Sequence, residues 1–269
     1  MGIDKLVILR YTIVTSFGEV ATVPRFFVSN AQINGNTVTV TGEDAHHISR
    51  ALRMAAGEHI TVADSTATVY DCVLSEFLPD AVVAEIVAAT PAVTEPPCHI
   101  TLYQALPKGD KLDTVIQKAV ECGVAHIVPF ESAHCVVRVK AEAEEKKQVR
   151  RNRIAAEAAK QCGRGILPTV GASVDFSTML YMAEKADLVL FCFEGEDTVS
   201  ISRVLVEKAP QAGTRIALVI GSEGGFSAAE ADAARARGFF MVGLGPRILR
   251  TETAPIFALG CIAAQTELG

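Results

Sequence analysis

No C-x-x-C pair occurs among the seven cysteines of this 269-residue sequence, and their number is odd. Cys72, Cys98, Cys122, Cys135, Cys162, Cys192 and Cys261 are scattered, which excludes a disulfide framework and reads as reduced, mostly buried thiols of a cytoplasmic protein. Also missing is any apolar run near the roughly 20 residues that span a bilayer. The segment LVILRYTIV is short and broken by Arg10, so neither a membrane span nor a signal peptide is expected. There is no excess of positive charge: 25 Lys and Arg against 31 Asp and Glu leave −6, which argues against indiscriminate binding to nucleic acid. The phosphate loop G-x-x-x-x-G-K-[ST] and the serine-hydrolase elbow G-x-S-x-G are absent. Gly243-x-Gly245 leads to Arg247-Ile248, where a dinucleotide fingerprint would place its third glycine. His46 and His47 are adjacent, point different ways and have no Cys or carboxylate at ligand spacing, so no metal site is expected.

What remains is material for a core. Apolar residues make up 49% of the chain and charged residues 21%, enough for one large α/β domain or two unequal ones. Charge is unevenly spread. Residues 1–97 hold 5 of the 25 basic and 11 of the 31 acidic side chains, leaving 20 of each for residues 98–269. From Arg138 to Arg164 the chain carries nine basic residues against four Glu. That stripe is either a solvated helix with i,i+4 pairs such as Glu142–Lys146 or a polyanion contact.

The stretch TPAVTEPPC (90–98) has three prolines and little periodicity, the composition of a linker. Before it, TVTVTG, HITVADS, ATVYDCVLSEF and VVAEIVAAT alternate or run β-branched, Asn34-Gly35-Asn36 marks a hairpin turn, and EDAHHISRALRM is one helical piece. A small barrel of about 70 residues fits. After the linker, strand and helix patterns alternate. CHITLYQAL, AHIVPF, DLVLFCF, RIALVIG and GFFMVGLG suit parallel strands. KLDTVIQKAVEC and the basic helix that follows are closed by Gly123 and Gly163, and Ser227 to Glu230 forms a capping box. The last helix, from Pro255 to Ala263, is apolar all round and is expected to be buried, inside the domain or against a second copy. The alternation implies an α/β domain with a parallel sheet.

Two glycine-rich turns follow late strands: Gly221-Ser-Glu-Gly-Gly-Phe226 after RIALVIG, and Pro246 to Ala254 after FFMVGLG. Open α/β sheets bind ligands at the carboxyl ends of their strands, where glycine lets backbone approach the ligand. A cofactor site at these two turns is therefore expected.

RFFV (25–28), HHISRALRM (46–54), QKAVECGVAHIVPF (117–130), AAEAAKQCGR (155–164), IGSEGGFSAAE (220–230) and LGPRILRTETA (244–254) together resemble the RsmE family. These are 16S ribosomal RNA (uracil-N3)-methyltransferases of the SPOUT superfamily. The likeness covers residues 24–269. It implies a PUA-like barrel over residues 24–90, a linker over 91–98, and a SPOUT methyltransferase domain with a C-terminal trefoil knot over 99–269. It further implies S-adenosylmethionine as methyl donor, a homodimer, and 16S ribosomal RNA of the small subunit as partner, with no metal. By the resemblance, Phe193, Ile220, Gly221, Leu244, Gly245, Ile248, Leu249 and Arg250 contact the cofactor. Arg250, Glu252 and Arg164 serve the uracil, with Glu223 in reserve; Glu252 either accepts a proton or caps the next helix. The charge census adds an RNA surface of Arg25, Arg50, Arg53, Arg138, Arg150, Arg151 and Arg153. Two departures stand out. Ser222 occupies a position where the family has proline, which removes a rigid turn; related ribose methyltransferases of the superfamily carry Gly-Ser-Glu there, so the change is expected to be tolerated. Residues 1–23 precede the family-like start, and Val23 is the expected true start, with no core element before it. A ribose 2′-O-methyltransferase of the same superfamily and a non-catalytic RNA-binding assembly factor remain as rival readings.

Overall fold

The alternating Thr and Val of TVTVT form a strand whose pleat sends Val38 and Val40 to one fully buried face. That strand belongs to a computed structural model describing residues 12–14, 20–139, 141–195 and 197–268. The chain divides into two units, Met1–Thr94 with Gly163–Ile166, and Glu95–Cys162 with Leu167–Gly269. The linear division at 91–98 does not contain that return of residues 163–166 to the first unit. Gly165 shows the return at atomic scale: a Cβ there would meet the Ala92 side chain at 2.2 Å.

In the first unit, β1 (Thr12–Val14) and β2 (Val20–Thr22) pair antiparallel as a sheet of their own. They add no strand to the core sheet; residues 1–11 and 15–19 of the expected extension lie outside the described residues. The core sheet comprises β3 (Arg25–Phe27), β4 (Ile33–Asn34), β5 (Thr37–Thr41), β6 (His59–Ala63), β7 (Thr68–Phe77) and β8 (Ala81–Pro91), in the order β3-β6-β7-β8-β5-β4. The Asn34-Gly35-Asn36 turn joins β4 to β5, and Gly35 takes the left-handed φ of +58° that such a turn requires. Two register shifts in the β7–β8 ladder bend the sheet around a core of Phe26, Val38, Ile48, Ile60, Leu74 and Val82. The helical piece EDAHHISRALRM becomes α1 (Gly42–His46) continued by a π turn, His47–Ala51.

The second unit contains β9 (His99–Ala105), α2 (Lys111–Glu121), β10 (His126–Glu131), α3 (Ala141–Cys162), β11 (Thr169–Val170), β12 (Val174–Asp175), α4 (Phe176–Ala183), β13 (Leu188–Cys192), β14 (Val199–Ser200), α5 (Ile201–Lys208), β15 (Arg215–Ile220), α6 (Ala228–Arg235), β16 (Phe240–Gly243) and α7 (Ala254–Thr266). Its strands run β11-β10-β9-β15-β13-β16-β14, with β12 also on β10, and every pairing is parallel. Leu188–Phe191 and Ile216–Ile220 are buried without interruption, as strands covered on both faces must be. The short helices α4 and α5, eight residues each, carry no pattern long enough to identify them from sequence. Asp175 and Ser200 cap them through side-chain bonds to Thr178 and Arg203 amides. Among the described residues no helix is long and apolar enough to cross a membrane.

The apolar last helix is covered on one face only. Pro255, Ala258, Leu259 and Ile262 are buried, with α7 against α2, α5 and β15, while Phe257 is 40% exposed.

The basic helix α3 carries a correction to the charge reading. Arg151 is buried, its Nη1 donating to Glu144 Oε1 at 2.9 Å and to Ser173 Oγ at 3.1 Å. Burial pushes the Glu144 carboxyl up, but hydrogen bonds from Ser173 and the Arg151 charge outweigh it and hold the group below its ordinary value. Arg151 thus braces the fold instead of presenting charge to a polyanion. Arg151→Ala is expected to lower stability by about 3 kcal/mol near neutral pH, because it leaves a buried carboxylate without its counter-charge. Glu144 has a depressed folded pKa, so the contribution is complete above the ordinary carboxylate pKa and fades as pH falls through the folded value. Unfolding midpoints of variant and parent should therefore converge in acid; a gap that persists there would assign the loss to packing.

Candidate cofactor and RNA site

Three strand ends define the site. Strands β13, β15 and β16 are neighbours in one parallel sheet, so their carboxyl ends, and the loops that follow, meet on one edge. There they enclose a cavity of about 860 Å³, walled by residues of 192–198, 220–226 and 242–254 with Lys111 from α2. Phe193, Ile220, Gly221, Leu244, Gly245, Ile248, Leu249 and Arg250 all border it. The sheet ladder continues into the wall, since the Phe193 amide donates to the Val242 carbonyl at 3.0 Å.

The two glycine corners differ physically. At Gly221 a Cβ would lie 3.1 Å from Gly225 Cα and 3.2 Å from the Phe226 ring. Phe226 cannot retreat freely, because its ring lies 4.2 Å from that of Phe191. At Gly245 there is open space, but φ is +102°, a conformation that side-chain-bearing residues rarely adopt. Without proline, the 222–225 turn still closes: the Gly225 amide donates to the Ser222 carbonyl at 3.0 Å, and Gly225 takes a φ of +63°. Ser222 in this position therefore does not open the loop.

Lys111, absent from the sequence reading, gathers the acidic groups. Its Nζ donates to Glu223 Oε1 at 2.9 Å and lies 3.5 Å from Glu252 Oε2. Chiefly through the Glu223 bond, the ammonium is held above its ordinary pKa. Burial pushes the Glu223 carboxyl up, yet bonds from Lys111 and the Lys108 amide outweigh it and hold the group low. Two carboxylates thus share one ammonium. Glu223 Oε1 accepts from both the Lys111 ammonium and the Lys108 amide, whereas Glu252 Oε2 is buried with the longer ion-pair contact to Lys111 and no hydrogen bond.

The helix-capping alternative for Glu252 is not what the structure shows: Thr253 is the N-cap of α7, and no side chain caps that terminus. Arg250 and Glu252 are two residues apart, but only Arg250 borders the cavity; Glu252 stands behind the wall, beside Lys111. Arg164 belongs to the first unit, is 3% exposed and does not border the cavity. Its carbonyl accepts from Arg25 Nη1 at 3.0 Å, and Arg25 is itself buried. Of the expected RNA cations, Arg50, Arg53, Arg138, Arg150 and Arg153 are exposed, with Arg138 paired to Glu131 and Arg150 to Asp113. Arg25 and Arg151 are buried.

The cavity suits an amphipathic cofactor. Its wall combines apolar side chains, among them Ile248 at 85% exposure, with glycine backbone and a buried Ser222 Oγ that has no partner. An adenosyl group with a sulfonium meets such a surface through apolar contact and backbone polar groups.

A family model described as an RNA methyltransferase domain matches residues 94–263, and one described as an RNA methyltransferase PUA domain matches residues 40–87. The ribosomal RNA small subunit methyltransferase E of Bacillus subtilis is 35% identical, over 86% of this chain and 91% of its own. A putative methyltransferase from Legionella pneumophila, solved with bound S-adenosylmethionine, is 30% identical with a TM-score of 0.79 over 91% of this chain and 98% of its own. The Neisseria gonorrhoeae ribosomal RNA small subunit methyltransferase E, also bound to S-adenosylmethionine, is 30% identical with a TM-score of 0.77 over 90% of this chain and 97% of its own.

Proposed function

Since this chain belongs to the RNA methyltransferase family, we propose that it transfers a methyl group from S-adenosylmethionine to N3 of a uracil in 16S ribosomal RNA of the small subunit. The observation that carries this is one cavity bordered by all eight residues the resemblance assigns to the cofactor. In this reading the parallel-sheet unit has the SPOUT architecture with its trefoil knot, and the first unit is a PUA-like RNA-binding domain. The half-open apolar face of α7, with Phe257, lies in a two-fold interface between copies.

The reaction asks little covalent chemistry of the protein. Bound S-adenosylmethionine supplies an electrophilic methyl on sulfonium sulfur. Apolar side chains at 193, 220, 244, 248 and 249 would hold its adenosine, and the backbone at Gly221 and Gly245 would allow its close approach. Arg250 steadies the negative charge that grows on a uracil oxygen as N3 loses its proton. Glu252, ion-paired with Lys111 behind the wall, enters as the acceptor of that proton on the resemblance alone. Because N3 lies on the pairing edge, the target base must be unpaired or flipped out.

Nucleoside mass spectrometry of small-subunit RNA from a deletion strain tests the proposal. The expected result is loss of one base-methylated uridine. Loss of a 2′-O-methyl nucleoside would move the activity to ribose, and an unchanged profile would leave a binding-only protein.

With Arg25 and Arg151 buried, the cations proposed to meet RNA are Arg50 and Arg53 on the first unit and, separately, Arg138, Arg150 and Arg153 on the second. Replacing Arg150 and Arg153 by Gln should weaken binding to the small subunit. The slope of log K against log salt should flatten by between about one and two. An unaltered slope would make this an ordinary solvated helix face.

A further inference from the structure

Gln104 lies at the carboxyl end of β9, between Tyr103 and Ala105, with β10 and β15 on either side. It is 0% exposed, in a sheet whose other fully buried positions are apolar. Its Nε2 donates to the Ala105 carbonyl at 3.0 Å, to Thr251 Oγ1 at 3.1 Å and towards the Gly221 carbonyl at 3.3 Å. The Thr251 hydroxyl in turn donates to the Gly221 carbonyl at 2.8 Å. Gln104, Thr251 and Gly221 therefore close a triangle joining the first residue of one glycine corner to the loop after β16. Three acceptors around Nε2 fix the amide's orientation, which points Oε1 away from every donor, and that oxygen is buried without a partner. A fold selected for stability alone would place an apolar residue here, since an unsatisfied buried acceptor costs stability and an apolar replacement of like shape does not.

We propose that Gln104 is a positioning residue for the methyl donor: through Thr251 and the Gly221 carbonyl it sets the spacing of the two loops that wall the cofactor cavity. Gln104 does not border the cavity itself and acts through Gly221 and Thr251, which do. The inference rests on the cavity being the S-adenosylmethionine site. It predicts a separation of stability from binding that a purely structural glutamine would not give.

Gln104→Met keeps the side chain's length and removes both the N–H donors and the orphaned oxygen. The variant is expected to unfold close to the parent temperature, because removing the orphaned oxygen offsets the donor lost to the Ala105 carbonyl, while its Kd for S-adenosylmethionine by titration calorimetry rises about tenfold. The turnover rate at saturating donor should stay within about threefold of the parent, so the defect appears in the donor KM. Thr251→Val breaks the same triangle from the other loop, and the double variant should bind no more weakly than the worse single one. Unchanged donor affinity in Gln104→Met would overturn the inference, as would a fall of several degrees in unfolding temperature alongside weaker binding. Additive losses in the double variant would also overturn it. If the parent itself binds no S-adenosylmethionine, the proposed function fails instead, which distinguishes the two.

Discussion

Gly221→Val is expected to abolish S-adenosylmethionine binding, raising Kd at least about a hundredfold, while the chain stays folded. A valine at this position brings three carbons into a corner where even the first would lie 3.1 Å from Gly225 Cα and 3.2 Å from the Phe226 ring. Backbone is the obstacle on one side and a ring packed on Phe191 on the other, so relief must come from moving the 221–226 loop. That loop is a wall of the cavity, and a displacement of about 1 Å in a positioning element can cost two orders of magnitude. Gly245→Val makes a useful contrast. Nothing lies within 4 Å of its Cβ, so the penalty there comes from a β-branched residue at φ +102° and is conformational. Calorimetric titration of both variants, with circular dichroism to confirm folding, checks the expectation. Unchanged affinity in both would mean that the cofactor binds elsewhere.

Arg250→Ala should lower the turnover rate by about a hundred- to a thousandfold, the usual cost of removing one group aimed at developing negative charge. The backbone contribution of this residue survives the change: its carbonyl accepts from the Thr253 and Ala254 amides at 2.8 and 2.9 Å, and alanine retains that carbonyl. The guanidinium is exposed and forms no ion pair among the described residues, so its removal leaves no buried charge behind. Stability should change little. Single-turnover methylation of unmodified small subunits, with donor saturating, separates this loss from any loss of cofactor affinity. Arg250→Lys should recover part of the rate, because a point charge replaces a planar fork. A rate within about threefold of the parent in the alanine variant would reduce Arg250 to a loop residue and leave the uracil charge to be met by another group.

Much of this arrangement was legible because it is written in short stretches. Gly123 and Gly163 end helices with φ of +91° and +78°, as their place after apolar periodicity implied. Ser227 and Glu230 close the expected capping box, with bonds of 3.3 and 2.9 Å. Unbroken apolar runs marked β13 and β15, and the glycines beyond β15 and β16 marked where a ligand would meet backbone. Charge counting fared less well. It treated Arg25 and Arg151 as members of a surface, although both are buried, because the count cannot separate a helix's wet face from the face that meets Ser173.

Local order, then, was determined by the sequence itself: an α/β unit with a parallel sheet, a β-rich unit before it, and two glycine corners after the strands whose ends wall the cavity. These rest on periodicity and backbone freedom, which act within a few residues of chain. Tertiary structure alone decided what those corners are held by. Lys111 meets Glu223 across 112 positions, and Gln104 meets Gly221 across 117 and Thr251 across 147. Neither Lys111 nor Gln104 differs by type or spacing from an ordinary helix lysine or strand glutamine. Their meaning arises when the parallel sheet sets β15 beside β9 and so brings the ends of distant strands to one edge.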